Sequence, residues 1–316
     1  MPVSQFTLPA PAKLNLYLHI VGQRPDGYHQ LETVFQFLDF SDTIAFQENN
    51  SGAISLTVEP YDEIAASAES ANHVDRENTN KSLLPAADLA ALQATPLQEN
   101  LIYRAAELLL PYRRNKQLGV HLTLYKRLPM GGGVGGGSSN AATTLLGLNY
   151  LWDLQLSEQQ LANIGLRLGA DVPVFVHGKA TFAEGVGEIF SATFPAEKHY
   201  LVVHPQVAVS TAQIFTHPAL PRNTKALHKP FENWQSGHND CEKLVCSLYP
   251  QVASALQWLL KYAPSRMTGT GACVFGCFTT TVEAQKALRA LPAEFRGFVA
   301  TGVNQSPLHA ALTQLP

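Results

Sequence analysis

The sequence predicts an α+β protein built from two parts, residues 1–185 and 186–316. With 316 residues, 46% of them hydrophobic and 15% charged, the chain is long enough for about two domains and a large apolar core. Three observations predict this class: a cleanly alternating strand over 12–21, a glycine-rich connection between a strand and a helix, and strands that alternate with helices after residue 200.

The first strand, over residues 12–21, presents two different faces. Apolar side chains alternate with polar or aromatic ones, so that one face carries Leu14, Leu16, Leu18 and Ile20 and the other carries Lys13, Asn15, Tyr17 and His19. Residues two apart on one strand face are ~7 Å from each other, so Lys13 and Asn15 can serve one ligand. A solvated sheet face is the alternative, and spacing alone favours it.

A tight turn follows this strand. Arg24-Pro25-Asp26-Gly27 has proline at its second position and glycine at its fourth, which is typical of a type I turn. Tyr28 and His29 come directly after it, where their rings can stack on a flat ligand or pack at the rim of the protein. Spacing alone does not separate these two interpretations.

The next stretch predicts a strand pair and then a polar segment. Residues 42–46 and 53–58 have strand patterns, and Asn49-Asn50-Ser51-Gly52 between them predicts a hairpin turn. Residues 59–97 are rich in Ala, Asn, Ser and acidic side chains, so they predict a mobile segment with one short helix over 86–92. A longer helix is predicted from about residue 99 to residue 112.

A glycine run separates the following strand from the following helix. Residues 120–125 alternate as a strand, every residue from 131 to 137 except Val134 is glycine, and a helix is predicted over 138–151. Glycine leaves backbone N–H groups uncovered by side chains, and a helix N-terminus carries roughly half a positive charge. The run therefore predicts a phosphate-binding loop, with a flexible linker as the alternative.

Three common phosphate-loop patterns do not fit this run. A P-loop needs lysine directly after its second conserved glycine, where this chain has Ser138. The dinucleotide pattern G-x-G-x-x-G also needs an acidic residue after the next strand, and Asp153 instead follows the end of a predicted helix. The protein-kinase loop needs valine two places after its last glycine, where this chain has Ser139.

Asp171 begins a new element after a capped helix. Ser157 and Gln160 form a capping-box pattern at the start of a helix over 157–168. Asp171 stands two places before Pro173, which is typical of a helix N-cap and would give its carboxylate a purely structural role.

The predicted boundary near residue 185 is followed by short strands and helices. Short strands are predicted on its two sides, over 180–183 and 187–190. Beyond them, strands are predicted over 200–205, 273–278 and 296–301, and helices over 211–216, 239–248, 251–262 and 281–291. Residues 265–272 form a second, shorter loop rich in glycine and threonine.

Composition and charge argue against several classes of protein. The formal net charge is −3, so nothing indicates a nucleic-acid surface. No apolar run approaches the ~20 residues of a membrane span, and residues 1–6 show no secretory signal. The four cysteines contain no C-x-x-C pattern, which predicts reduced thiols in a cytoplasmic protein rather than a zinc site.

Three motifs, in this order along the chain, resemble the signature motifs of the GHMP small-molecule kinases: Pro11–Leu16, the glycine run ending in Ser138 and Ser139, and Met267–Ala272. The resemblance implies a two-domain GHMP kinase fold with the active site between the domains. The N-terminal ATP-binding domain over 1–185 would be of the ribosomal protein S5 domain 2-like type, and the domain over 186–316 would be ferredoxin-like.

Two further stretches resemble one branch of this family. They are Gly22–His29 and Gly169–Phe175. The branch phosphorylates, with ATP, the 2-hydroxyl of a cytidine-diphosphate-linked alcohol in the non-mevalonate route to isoprenoid precursors. The resemblance thus implies ATP and a cytidine-diphosphate-linked small molecule as partners.

The resemblance also implies a role for each motif residue. Asp171 matches the general base for the substrate hydroxyl, and Lys13 matches the lysine that assists loss of the hydroxyl proton; an ammonium beside a carboxylate favours both charged forms. Substrate contacts are implied for Asn15, Tyr28, His29, Thr211 and Phe215, with Tyr28 and His29 at the cytosine. ATP contacts are implied for Pro129, Met130, Gly131, Gly132, Gly133, Val134, Gly135, Gly136, Gly137, Ser138 and Ser139. Mg²⁺ would enter as the ATP complex, bridging the β and γ phosphates, with no protein ligand implied.

Three other functions stay open. A GHMP kinase for a different alcohol is one, and Tyr28 and His29 argue against it. A catalytically inactive, ligand-binding regulator on the same fold is another, although such a protein has no reason to keep both Lys13 and Asp171. A nicotinamide-dependent oxidoreductase is the third, and it lacks the required acidic residue.

Overall fold

The computed structural model describes residues 5–61, 84–227 and 236–316. The strands among them are β1 (Gln5–Gln23), β2 (His29–Asn49), β3 (Ile54–Pro60), β4 (Gly119–Lys126), β5 (Thr181–Glu184), β6 (Ile189–Ala192), β7 (His199–His204), β8 (Ser265–Met267), β9 (Val274–Phe278) and β10 (Arg296–Val303). They form one sheet with the path β3-β4-β2-β10-β7-β9-β8, in which β1 also pairs with β2, and β5 pairs with both β2 and β6.

The helices of the described residues pack on this sheet and on one another. They are α1 (Ala86–Ala94), α2 (Leu101–Leu109), α3 (Gly136–Leu151), α4 (Glu158–Leu166), α5 (Val172–His177), α6 (Thr211–Thr216), α7 (Glu242–Leu248), α8 (Pro250–Leu259), α9 (Thr281–Arg289) and α10 (Pro307–Leu312). The predicted α+β class is confirmed. The sequence missed α10, and of the predicted polar segment over 59–97, residues 62–83 lie outside the described residues.

The strand β1 is buried on both faces. Its apolar side chains belong to the core, and its polar face is covered as well, since Lys13, Asn15, Tyr17 and His19 are all buried. The cover comes from the C-terminal part: Leu18 forms a parallel bridge with Asn239, and Arg266 donates to the Leu16 carbonyl. The solvated face that spacing alone favoured is therefore wrong, because distant segments of the chain cover it.

The turn between β1 and β2 is the predicted one. The Gly27 N–H donates to the Arg24 carbonyl at 2.9 Å, which closes a four-residue turn. Gly27 has φ +88°, a backbone conformation that favours glycine.

The predicted hairpin between β2 and β3 is wrong. The strand β4 lies between them, antiparallel to β2 and parallel to β3. Val120, Leu122 and Leu124 are buried apolar residues of β4, which suits a central position. The strand β3 has one buried residue, Val58, and forms the sheet edge. The turn at Gly52 instead lies at the start of β4, where the Gly52 N–H donates to the Gln117 carbonyl, two residues before that strand begins.

The predicted boundary between 185 and 186 falls in the connection from β5 to β6, and it stays a prediction.

Three groups of buried apolar side chains fill the molecule. One lies between the sheet and helices α2 to α5, a second lies beneath α7 to α9, and a third lies where β1 and β2 meet β7, β9 and β10. Across the described parts of the chain, no helix has the length and hydropathy that a membrane span requires.

Gly147 lets helix α3 approach the sheet closely. A Cβ at this position would lie 2.3 Å from the ring of Phe46. Although alanine favours a helix over glycine by about 1 kcal/mol, overpacking a core costs about 1–3 kcal/mol. We therefore expect Gly147→Ala to lower the free energy of unfolding, as measured by urea denaturation. Phe46→Leu should make the same change less costly, and two strictly additive losses would contradict this packing.

Candidate active site

The glycine loop (residues 129–139) leads from β4 into α3 with a sharply bent backbone. Gly131, Gly133 and Gly135 have φ values of +60°, +73° and +76°, which side chains rarely adopt. Helix α3 begins at Gly136, two residues earlier than predicted, and no side chain caps it. Its first N–H groups are therefore available to an anion.

A second loop, residues 267–272, packs directly beneath the glycine loop. The N–H of Ala272 donates to the Gly131 carbonyl at 3.1 Å, and the N–H of Cys273 donates to the Gly132 carbonyl at 3.0 Å. Their approach is so close that a Cβ at Gly133 would lie 2.4 Å from the Thr268 carbonyl oxygen. Two of the three signature motifs thus form one backbone-to-backbone unit.

Lys13 joins the third motif to this unit. Its ammonium is 3.0 Å from the Gly133 carbonyl oxygen, which accepts a hydrogen bond, and it also donates to Asn15 Oδ1. The Asp171 carboxylate lies 3.3 Å from Lys13 Nζ. Since Lys13 is only 3% exposed, these oxygen atoms compensate for its removal from water.

Asp171 stands at the N-cap position of α5, but its carboxylate makes no capping hydrogen bond. Its side chain is 37% exposed and pairs with Lys13 instead. The backbone position expected of a cap is thus present while the capping contact is not. The carboxylate is left facing the cavity described next.

Asn15 is held by hydrogen bonds of both its backbone and its side chain. Its N–H donates to the Thr268 hydroxyl at 2.9 Å, and its side-chain amide donates to the Thr33 hydroxyl at 2.9 Å. The side chain therefore has a fixed orientation, with its oxygen toward Lys13.

A cavity of about 620 Å³ brings most of the predicted site together. Its volume is in the range of ligand sites. The predicted site residues in its wall are Lys13, Asn15, Asp171, Thr211, Phe215 and residues 129–138. Ser139 is not in the wall; it is fully buried, and its hydroxyl has no hydrogen-bond partner among the described residues.

Tyr28 and His29 are not in the cavity wall either. Tyr28 is 63% exposed, whereas His29 is buried. The His29 ring lies 5.2 Å from the ring of Phe215, a wall residue, at an interplanar angle of 31°. His29 is thus connected to the cavity through Phe215.

Lys126 is a wall residue that the sequence did not single out. Its buried ammonium is 2.8 Å from Asp42 Oδ2 and donates to the Leu128 carbonyl at 2.6 Å. Asp42 Oδ1 also accepts the N–H groups of Arg127 and Leu128 at 2.7 Å. This buried ion pair fixes the chain where it enters the glycine loop, and no short-range pattern could connect two residues 84 positions apart.

Arg222 and Asn140 were missed as well. Arg222 donates from Nε to His29 Nε2 at 2.9 Å. Asn140 is a buried wall residue whose Oδ1 has no hydrogen-bond partner among the residues described. The sequence offered one signal for Asn140, its position in the first turn of the helix that follows the glycine run.

Family models match both parts of the chain. The model of the GHMP kinases N terminal domain matches residues 100–179, and the model of the GHMP kinases C terminal matches residues 221–297. The fold is that of a GHMP kinase, a small-molecule kinase, as the sequence predicted.

Relatives that match nearly the whole chain show which group of GHMP kinases it belongs to. A protein of Mannheimia succiniciproducens named 4-diphosphocytidyl-2-C-methyl-D-erythritol kinase is 50% identical, over 98% of this chain and 92% of its own length. A crystal structure of 4-(cytidine 5'-diphospho)-2C-methyl-D-erythritol kinase has a TM-score of 0.72 and 28% identity, covering 94% of this chain and 99% of its own. The chain belongs to the family of 4-diphosphocytidyl-2-C-methyl-D-erythritol kinases.

The fold extends to kinases of other alcohols. A homoserine kinase from Cytophaga hutchinsonii has a TM-score of 0.65 at 15% identity, with 97% of each chain covered. At this identity the likeness concerns the fold alone.

Gly133 lies at the contact between the two loops. Alanine there would have φ +73° and a Cβ 2.4 Å from a carbonyl oxygen, so the loops must separate. We expect Gly133→Ala to cost about 1–3 kcal/mol of stability and to speed hydrogen exchange at the Ala272 and Cys273 amides. Gly136→Ala is the control, because the nearest atom to its Cβ is 3.5 Å away. Unchanged exchange in Gly133→Ala would contradict the coupling of the loops.

Proposed function

We propose that the protein transfers the γ-phosphoryl group of ATP to the 2-hydroxyl of 4-diphosphocytidyl-2-C-methyl-D-erythritol, giving the 2-phosphate and ADP. The names of relatives about 50% identical over nearly the whole chain support this substrate. The observation that carries the chemistry is the ion pair between Lys13 and Asp171, which lies in one cavity with the glycine loop.

ATP would place its phosphates on the glycine loop. The uncapped start of α3 offers N–H groups and a partial positive charge to the β and γ phosphates. Mg²⁺ would arrive with ATP and neutralise charge on those phosphates. The described residues contain no group of three or more His, Cys, Asp or Glu side chains that could hold a metal.

Asp171 would act as the general base. Its carboxylate is partly exposed in the cavity and makes no capping bond, so it is available to a substrate hydroxyl. The hydroxyl proton would pass to Asp171 as the oxygen forms its bond to the γ phosphorus and the bond to ADP breaks. Lys13 would stabilise the negative charge that develops on that oxygen and would orient the carboxylate.

The cytidine end of the substrate would lie toward Thr211 and Phe215. Thr211 is fixed by a 2.9 Å hydrogen bond to Thr270 of the second loop, and Phe215 has its ring against His29. Asn15, oriented by Thr33 and Thr268, would contact the substrate beside Lys13. Tyr28 would close over the cytosine from the exposed turn.

We place this reaction in the cytoplasm. All four cysteines are free, and burial raises the pKa of Cys241 to about 12 and that of Cys246 to about 11. Unpaired thiols suit a reducing compartment.

Phosphorus NMR of the protein with ATP, Mg²⁺ and 4-diphosphocytidyl-2-C-methyl-D-erythritol tests the proposal. The expected result is a new phosphomonoester signal together with the signals of ADP. Phosphorylation of homoserine or mevalonate in place of this substrate would make the protein a kinase of another alcohol. Binding of both ligands without turnover would make it an inactive regulator.

Asp171 and Lys13 should act as one unit. General-base catalysis contributes ~10²–10⁴-fold, so Asp171→Asn should lose kcat on that scale while the protein stays folded and its ATP affinity stays unchanged. Lys13→Met should lose kcat similarly, and the double variant should be little worse than either single one. Turnover and thermal melts of the three variants are the measurements. An active Asp171→Asn variant would remove the base from the mechanism.

Tyr28 should contribute to the binding of the diphosphocytidyl substrate and not to the binding of ATP. Loss of one base–aromatic stack costs about 1–3 kcal/mol, so Tyr28→Ala should weaken substrate binding by that amount. Tyr28→Phe, which keeps the ring, is the control and should bind normally. Calorimetry with each ligand separately decides this, and equal losses for ATP and substrate would refute the assignment.

A further inference from the structure

All three nitrogens of the Arg222 guanidinium group make hydrogen bonds that connect α6 and the residues after it with His29 at the start of β2. Nη2 donates to the carbonyls of Phe215 at 3.1 Å and His217 at 2.9 Å, and Nη1 donates to the Leu220 carbonyl at 2.9 Å. Nε donates to His29 Nε2 at 2.9 Å. One side chain therefore holds the backbone of Phe215 and the ring of His29 in a fixed relation.

This contact determines which nitrogen of His29 carries a proton. Arginine has donors and no acceptor, and it stays charged in proteins. Its Nε–H can bond only to an unprotonated ring nitrogen, so the neutral His29 ring must carry its hydrogen on Nδ1. Burial, followed by the charge of Arg222, lowers the pKa of His29, which agrees with a neutral ring.

The remaining nitrogen of His29 is available to a ligand. Within residues 5–61, 84–227 and 236–316, no group hydrogen-bonds Nδ1 of His29. Since Nδ1 carries the hydrogen, it can only donate. His29 therefore offers a hydrogen-bond donor, close to a ring that lines the cavity.

We propose that Arg222 is a positioning residue that fixes His29 as an Nδ1–H donor and thereby makes the site prefer cytosine over uracil. Cytosine presents an unprotonated ring nitrogen, N3, which accepts from such a donor. Uracil carries a hydrogen at N3, so two donors would face each other and both would lose their partners. The inference rests on the proposed function, because it assumes that a pyrimidine base lies beside His29.

The first test needs no substrate. Nitrogen-15 NMR of the imidazole groups should show His29 of the ligand-free protein as a single Nδ1–H tautomer between pH 6 and pH 8. Arg222→Met should convert it to a mixture in which Nε2 carries the hydrogen in part of the molecules. A wild-type protein with the hydrogen on Nε2, or with a doubly protonated ring, would overturn the proposal.

The second test measures base preference by calorimetry with cytidine 5′-diphosphate and uridine 5′-diphosphate. The wild-type protein should prefer the cytidine nucleotide at least tenfold, Arg222→Met should lose most of that preference, and Arg222→Lys, which keeps one donor, should retain part of it. ATP affinity should not change. Arg113→Met is the matched control, because Arg113 also donates to backbone carbonyls, those of Gly52 and Leu118. Among the hydrogen bonds of the described residues, none joins Arg113 to His29.

An unchanged preference in a folded Arg222→Met variant, or no preference in the wild-type protein, would overturn the proposal. These outcomes are separable from a failure of the proposed function. If the wild-type protein prefers the cytidine nucleotide but transfers no phosphate, the phosphorylation is wrong and the role of Arg222 stands.

Discussion

The ammonium of Lys13 is almost removed from water, and much of the site depends on how that charge is compensated. A buried cation without partners is strongly destabilising. Its partners come from separate parts of the chain: Asn15 on its own strand, the Gly133 carbonyl in the glycine loop, and the Asp171 carboxylate before α5. Each of these segments must take its place for the charge to be tolerated. The need to compensate the charge of the Lys13 ammonium thus fixes the relative positions of β1, the glycine loop and α5.

The glycine residues of the loop serve the protein as much as any ligand. A side chain at Gly133 would strike the second loop, and one at Gly135 would lie 2.8 Å from the Phe175 ring and 3.1 Å from Lys13 Cε. The loop is therefore pressed between the second loop on one side and the pair of Lys13 and Phe175 on the other. Backbone N–H groups at the start of α3 are held in place before any phosphate arrives, which lowers the entropic cost of binding.

Local sequence patterns correctly predicted the features that depend on interactions between neighbouring residues. The turn at Gly27, the capping box at Ser157 and the alternation of β4 depend on neighbouring residues, and all three are present. Most of the site residues predicted from the motifs also lie in the cavity wall. The sequence could not show that β4 separates β2 from β3, that Lys126 pairs with Asp42, or that Arg222 reaches His29. These contacts join residues between 66 and 193 positions apart and leave no periodic trace.

The strand β2 has consequences for the way the chain reaches this fold. One edge pairs with β1, but the other is completed by three strands: β5 at Thr33–Phe35, β10 at Phe37 and Leu38, and β4 at Thr43–Asn49. The last of these to be synthesised is β10, whose pairing residues are Gly302 and Val303. During synthesis, part of the β2 edge therefore stays open until nearly the whole chain has been made. Unpaired edges promote association with other chains, so this part of β2 is open to such association until β10 has been made.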